Sequence, residues 1–217
     1  MLRRSMMDKK AIKNKHKKIL FTGIAVAVIL LITIAVAALS SPKSADEKTE
    51  IPVRALGPIT ASVVIQEYSD FGCISCRVWH QLGIVDKILE KYGDEVRFEW
   101  HDFPVITSNS PKAAEAGFCA NDQGQFWQFH DVVFKNYPKI SVENLKKYAL
   151  ELDVDASTFN ECLDSGKYKK TVQHELNNGY ALGFRGTPSF LVNDQALIGP
   201  PSFEQLSEII NEILLTE

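Results

Sequence analysis

Glu67-Tyr68-Ser69-Asp70-Phe71-Gly72-Cys73-Ile74-Ser75-Cys76 places two thiols three residues apart, at a point where the hydrophobic period of the chain changes. Ahead of the thiols, Val63-Val64-Ile65 is a β-branched apolar run bounded by polar residues, which predicts a buried strand reaching about Tyr68. Behind them, Val78, Leu82, Val85 and Leu89 recur at spacings of four, three and four. That is one face of a helix from about Cys73 to Tyr92, stopped by Gly93. Val96, Phe98 and Trp100 then alternate with Arg97 and Glu99, the pattern of a second strand. The thiols therefore lie where strand gives way to helix in a strand, helix, strand unit.

Position gives the two thiols different chemistry. At the start of a helix, Cys73 sits beside unpaired backbone N–H groups and the positive end of the helix dipole, which favour thiolate over thiol. Cys76, one turn further in, can attack a mixed disulfide formed on Cys73. Zinc sites use the same spacing, and His80 could serve as a third ligand, but no second Cys-x-x-Cys or histidine pair supplies a fourth. A tethered metal-binding or holdase module stays open as the reading from another class; no resident metal or cofactor is expected. Glu67 shares a strand face with Val63 and Ile65, so its carboxyl, if buried, can pass protons to and from Cys76. The alternative is a strand-end Glu reaching solvent. Trp79, His80 and His130 read as packing or helix-surface residues.

Further out, Pro111 at a helix start, Phe126 to Phe134, Val142 to Leu152, Phe159 with Leu163, and Lys167 to Leu182 give a helical texture over about residues 108–184. The sheet resumes at Phe190-Leu191-Val192 and Ala196-Leu197-Ile198, a hairpin around Asn193-Asp194-Gln195. Phe203, Leu206, Ile209, Ile210 and Ile213 form a last amphipathic helix. Cys119 and Cys162 fall on separate predicted helices of the insert. In an oxidising compartment they are expected to pair, closing a loop worth about 4 kcal/mol in the chain-entropy model; two buried apolar cysteines are the alternative.

The compartment is read from the other end of the chain. Ile19 to Leu39 is 21 residues without a charge. As a helix it spans about 31 Å, enough for a bilayer core of about 30 Å. Residues 1–18 hold eight Lys or Arg against Asp8 alone, which keeps them cytoplasmic and places the chain beyond Leu39 on the far side. Residues 19–39 are thus expected to be a transmembrane signal anchor, with a cleaved signal peptide ending near Ala35-Val36-Ala37 as the competing reading. Residues 40–55 are polar and read as a flexible linker to the domain at 56–217. Beyond residue 18 the chain holds 16 basic and 26 acidic residues, a balance that argues against a nucleic-acid binder.

With these motifs in place, the chain resembles the DsbA-like thiol–disulfide oxidoreductases over about residues 53–215. The resemblance rests on the Glu67–Cys76 stretch and on Gly183-Phe184-Arg185-Gly186-Thr187-Pro188-Ser189-Phe190. Leu56-Gly57-Pro58, Gly124-Gln125-Phe126-Trp127 and Phe129-His130-Asp131 add to it. It implies an α/β protein, a thioredoxin fold with an inserted α-helical subdomain, here preceded by one transmembrane helix. It further implies Cys73 as nucleophile, Cys76 as resolving thiol and Glu67 as their proton carrier. Thr187–Pro188 would be a cis bond packed against the cysteines, leaving the Thr187 backbone free to meet an extended substrate. The implied partners are exported proteins with free thiols and an integral-membrane, quinone-linked protein that reoxidises the pair. Donation of disulfides is the expected direction, with reduction or isomerisation as the alternative. Ile74-Ser75 departs from the family, which carries Pro and then an aromatic residue or His between the cysteines. Ser75 has no cationic form, so the helix terminus must do most of the thiolate stabilisation, and this dipeptide is expected to tune the redox poise.

Overall fold

The computed structural model describes residues 54–216. Its central strand is β2, Val63–Ser69, in which alternate residues are buried and the last three positions are all buried. β2 runs parallel to β3, Val96–Asp102, with Ile65 opposite Phe98 and Glu67 opposite Trp100. A parallel pair needs a crossover, which two helices supply: α1, Ile74–Gln81, and α2, Ile84–Tyr92. β1, Arg54–Leu56, is antiparallel to β3 on one edge. On the other side β4, Ser189–Val192, is antiparallel to β2 and turns into β5, Gln195–Ile198, giving the order β1-β3-β2-β4-β5. Asn193 fastens that hairpin to β2: it adopts φ 48°, its N–H donates to the Val64 carbonyl and its Oδ1 accepts from the Val64 N–H.

Five helices separate β3 from β4: α3 (Ser110–Asn121), α4 (Phe126–Lys135), α5 (Val142–Ala149), α6 (Ala156–Ser165) and α7 (Lys169–Ala181). They pack around Phe118, Phe129, Leu145, Phe159 and Leu163, and this core continues to Phe71 and Trp100 at the sheet. Cys119 on α3 and Cys162 on α6 are bonded to each other. A second core gathers Val63, Ile65, Phe98, Trp79, Ile88 and Ile210, the last from α8, Phe203–Thr216. The thioredoxin fold with a helical insert is therefore what the chain adopts.

Three readings of the sequence change. The helix expected from Cys73 to Tyr92 is two helices, because Gly83 turns to the left-handed region at φ 63°, a conformation that costs glycine little. With that break the apolar repeat does not mark the core on the first helix: Val78 is 45% exposed and Leu82 57%, while Cys76 and Trp79 are buried. The segment read as linker ends early, since Arg54 and Ala55 already pair with β3. The basic segment 1–18, the span 19–39 and linker positions 40–53 lie outside the described residues. Among the described residues no helix is long and apolar enough to cross a membrane.

Arg54 explains why a three-residue strand is held. Its guanidinium, 2% exposed, bonds Asp102 at the end of β3 and both carboxylate oxygens of Glu175 on α7 at 2.7 Å. Glu175 also accepts the Asp102 backbone N–H at 2.7 Å, and the guanidinium lies 3.8 Å over the Phe118 ring. One cation thus ties the sheet edge to two helices of the insert. Arg54→Ala leaves two buried carboxylates without their cation and is expected to lower the unfolding free energy by about 3–5 kcal/mol, read from urea melts. A loss within the range of a surface substitution would contradict this role.

Candidate active site

At the end of β2 the chain makes a tight turn set by Asp70. Its buried carboxylate accepts the N–H of Gly72 at 2.7 Å and that of Ile106 at 2.8 Å, and its carbonyl accepts the Cys73 N–H at 2.9 Å. Gly72 is needed here because a Cβ would meet Ser110 Oγ at 2.7 Å. The turn delivers Cys73 as the N-cap of α1, with extended backbone angles and its Sγ accepting the Cys76 N–H at 3.4 Å. Cys73 Sγ also lies 3.3 Å from the Thr187 carbonyl, to which its S–H can donate. The Thr187–Pro188 peptide bond is cis.

The two thiols are free and differ as their positions require. The hydrogen bond from the Cys76 thiol is the largest cause that holds Cys73 down to about 6 from an ordinary 9.0. Burial opposes it, while the Thr187 side chain and the backbone N–H groups of Cys76 and Ser75 add to it. Burial pushes Cys76 well above 9.0, with Cys73 and the negative charge of Glu67 adding to the rise. Ile74 and Ser75 between them are exposed. They line a groove of about 520 Å³ that also includes Val78, Leu82, Pro201 and Phe203.

Glu67 is fully buried, so it is not a strand-end carboxylate reaching solvent. Its Oε2 lies 2.7 Å from Nε2 of His80, and its Oε1 has no hydrogen-bond partner among the described residues. His80 is thus not the helix-surface residue expected: its side chain is 11% exposed and is paired with the buried acid. The signal was present, because His80 is four residues after Cys76 and so one turn along the same buried face of α1. His130, from α4, is buried and stands edge-on to His80 with ring centroids 4.4 Å apart. Burial, with the charge of His80 adding to it, holds the His130 imidazole down to about 4. No spacing in the sequence links His130 to the cysteines, since the insert brings it there. Trp79 is a packing residue, buried with its indole N–H donating to the Pro201 carbonyl at 2.8 Å.

The fold and the split pair of thiols define a class, proteins of thioredoxin fold built for thiol–disulfide exchange. This chain belongs to the thioredoxin family, whose sequence model, described as Thioredoxin, matches residues 49–212. The probable disulfide bond formation protein D of Bacillus cereus is 27% identical over 217 residues, 92% of this chain and 99% of that protein. The Na(+)/H(+) antiporter NhaA of Herminiimonas arsenicoxydans is 34% identical over 143 residues, 66% of this chain. There the chain spans 22% of the relative's length. Among solved structures, oxidised BdbD from Bacillus subtilis has the same fold, with a TM-score of 0.70 and 23% identity over 76% of this chain and 94% of that one. The DsbA-like resemblance carried by the motifs agrees with the Bacillus cereus relative, named for disulfide bond formation.

Alkylation of the reduced protein by iodoacetamide checks the thiol assignment. The rate at Cys73 is expected to rise with pH to a midpoint of about 6, while Cys76 stays unmodified to beyond pH 9. By linkage, the depressed Cys73 pKa stabilises the reduced fold fully above about pH 9, and that advantage is lost as pH falls through about 6. A midpoint at that of a free thiol, or equal modification of both cysteines, would contradict the assignment.

Proposed function

We propose that this chain is a membrane-tethered thiol–disulfide oxidoreductase whose Cys73–Cys76 disulfide is donated to exported proteins. The observation that carries the reading is the division of labour between the thiols, one stabilised as thiolate at a helix end and the other buried as a thiol. In the oxidising direction a substrate thiolate attacks Cys73 Sγ. The Cys73–Cys76 bond breaks, its electron pair goes to Cys76 Sγ, and that sulfur takes a proton. A second substrate thiolate then attacks the substrate sulfur joined to Cys73 and expels the Cys73 thiolate, leaving the substrate oxidised and the pair reduced. A good leaving thiolate is one with a low pKa, which is what Cys73 provides.

The remaining residues fit around these steps. Glu67 carries the Cys76 proton. The Thr187 backbone ahead of Pro188, which has no N–H, meets an extended substrate segment beside Cys73. The apolar groove past Ile74 and Val78 extends that contact, and Ile74 and Ser75 tune the redox poise of the pair. Residues 19–39 anchor the protein, residues 1–18 stay cytoplasmic and the domain works outside the membrane. The uncharged span and the basic run before it support that placement. An integral-membrane, quinone-linked protein reoxidises the pair. The Bacillus cereus relative, named for disulfide bond formation, supports donation as the net direction.

The test is transfer to a reduced, unfolded substrate protein. Oxidised wild-type chain is expected to introduce disulfides stoichiometrically, whereas Cys73→Ser and Cys76→Ser, neither of which can hold the Cys73–Cys76 disulfide, introduce none above background. Oxidised chain that transfers nothing, while the reduced chain speeds rearrangement of a scrambled substrate, would overturn donation in favour of isomerisation.

A further inference from the structure

Thiol–disulfide exchange at this site moves a proton on and off Cys76, and Cys76 has no contact with water. Both Cys76 and Glu67 are 0% exposed. A carboxylate cut off from water can only hand one proton back and forth with Cys76, whereas a further group that reaches solvent lets the proton exchange with water at each step. Of Cys76, Glu67 and His80, only His80 reaches solvent: it is the 11% exposed partner of Glu67 and lines a cleft of about 570 Å³. Arg77, Asp86, Trp127, His130 and Asp131 line the same cleft.

Resting on the thiol–disulfide reading of Cys73 and Cys76, we infer that Glu67 and His80 form a one-proton relay between the buried Cys76 thiol and the water of this cleft. One contact of Glu67 and one open acceptor carry the inference. Oε2 is joined to His80 Nε2 at 2.7 Å, and Oε1 is buried without a partner among the described residues, an open acceptor on the carboxylate whose charge Cys76 feels. The imidazole is held in place by aromatic neighbours on three elements: Trp79 at 5.2 Å, Phe134 at 5.5 Å and Trp100 at 5.7 Å between ring centroids. It therefore keeps one nitrogen on Glu67.

The charged and titratable groups around His80 favour this use. Glu67 faces it from β2 and His130 from α4, while Asp131, Arg77 and Asp86 share the cleft. His130, held down to about 4, stays neutral near neutral pH and sets no second positive charge against an imidazolium at His80. Its Nδ1 is engaged with the Asp131 carboxylate at 2.8 Å. Joined at 2.7 Å, the imidazole Nε2 and the carboxylate Oε2 are placed to pass a proton between them.

The proton balance closes in both directions. When the Cys73–Cys76 bond breaks and its electron pair goes to Cys76 Sγ, the pair gives that sulfur its proton and His80 takes one from cleft water. In the other direction the Cys76 thiol gives its proton to Glu67, His80 delivers one to water, and the freed thiolate attacks the mixed disulfide on Cys73. The Cys73–Cys76 bond forms and the partner leaves as thiolate. His80 does not touch the sulfurs; it acts through Glu67.

The step that isolates Cys76 is resolution of a glutathione mixed disulfide on Cys73, followed in the full chain by rapid acid quench and mass analysis after mixing reduced protein with oxidised glutathione. Formation of the mixed disulfide depends on Cys73 and is expected at the wild-type rate in His80→Ala. Its resolution is expected to slow by about 100-fold, at the lower end of what a positioned acid or base contributes. Added imidazole should restore resolution in a saturating manner by occupying the vacated place at the cleft, whereas pyrazole, of the same size but a far weaker base, should not. His80→Gln, which keeps a hydrogen bond to Glu67 and cannot relay, should be slowed to the same extent and serves where the alanine variant does not fold. Resolution at the wild-type rate in either variant overturns the relay, and so does slowing that imidazole does not relieve in a folded His80→Ala. A wild-type chain that forms neither the mixed disulfide nor the Cys73–Cys76 disulfide would instead defeat the underlying reading of Cys73.

Discussion

The burial of Cys76 within the field of the buried Glu67 carboxylate is the constraint on which the remaining features of this site depend. A thiol removed from water and facing a negative charge resists ionisation, and the same thiol, by hydrogen-bonding to Cys73, helps its neighbour to ionise. Each pKa unit is about 1.4 kcal/mol between protonation states, so a split of this kind separates attacking from resolving sulfur by environment alone. An isolated buried carboxylate is costly, and here the cost is met by His80. The arrangement therefore couples sulfur chemistry to a proton on a buried pair of groups, with His80 beside it.

That fold has two parts with different duties. The sheet positions the sulfurs: β2 carries Glu67, and the end of β2 with the Asp70 turn sets Cys73 at the start of α1. The insert encloses them. Phe134 and His130 of α4, with Phe129 beside Phe71, complete the wall around His80, Trp100 and Phe71. The insert stays in register with the sheet through Arg54, and Gly179 lets α7 approach, since a Cβ there would meet the Phe103 ring at 2.6 Å. The helical segment is thus part of the site's electrostatics as much as of its shape.

How far the sequence could be read depends on the range of each signal. Local signals were legible: the strand, helix, strand unit, the insert, the hairpin at Asn193 and the cysteine pair all come from period, turn residues and spacing. Glu67 was legible as a candidate because a period of two puts it on the face of Val63 and Ile65. The break at Gly83 was not, because the apolar repeat runs through it; on α1 that repeat marks an exposed apolar surface. β1 was missed because three residues beginning with a buried arginine carry no strand alternation, and only its distant partners Asp102 and Glu175 explain it. His130 belongs to the same group, since its contact with His80 reaches across from the insert to α1.

Ile74 and Ser75 depart from the family pattern and face solvent, and the groups that lower the Cys73 pKa are the Cys76 thiol, the Thr187 side chain and the backbone N–H groups of Cys76 and Ser75 at the helix start. Thiolate stabilisation favours the reduced form and makes the disulfide an oxidant. The reduction potential of the Cys73–Cys76 couple, read by equilibrating the full chain with defined ratios of reduced and oxidised glutathione, tests this most directly. Stabilisation of the Cys73 thiolate places it between about −270 and −120 mV, on the oxidising side of thioredoxin. A value at or below about −270 mV would show that the reduced pair gains nothing from this site, and that thiolate stabilisation does not set its poise.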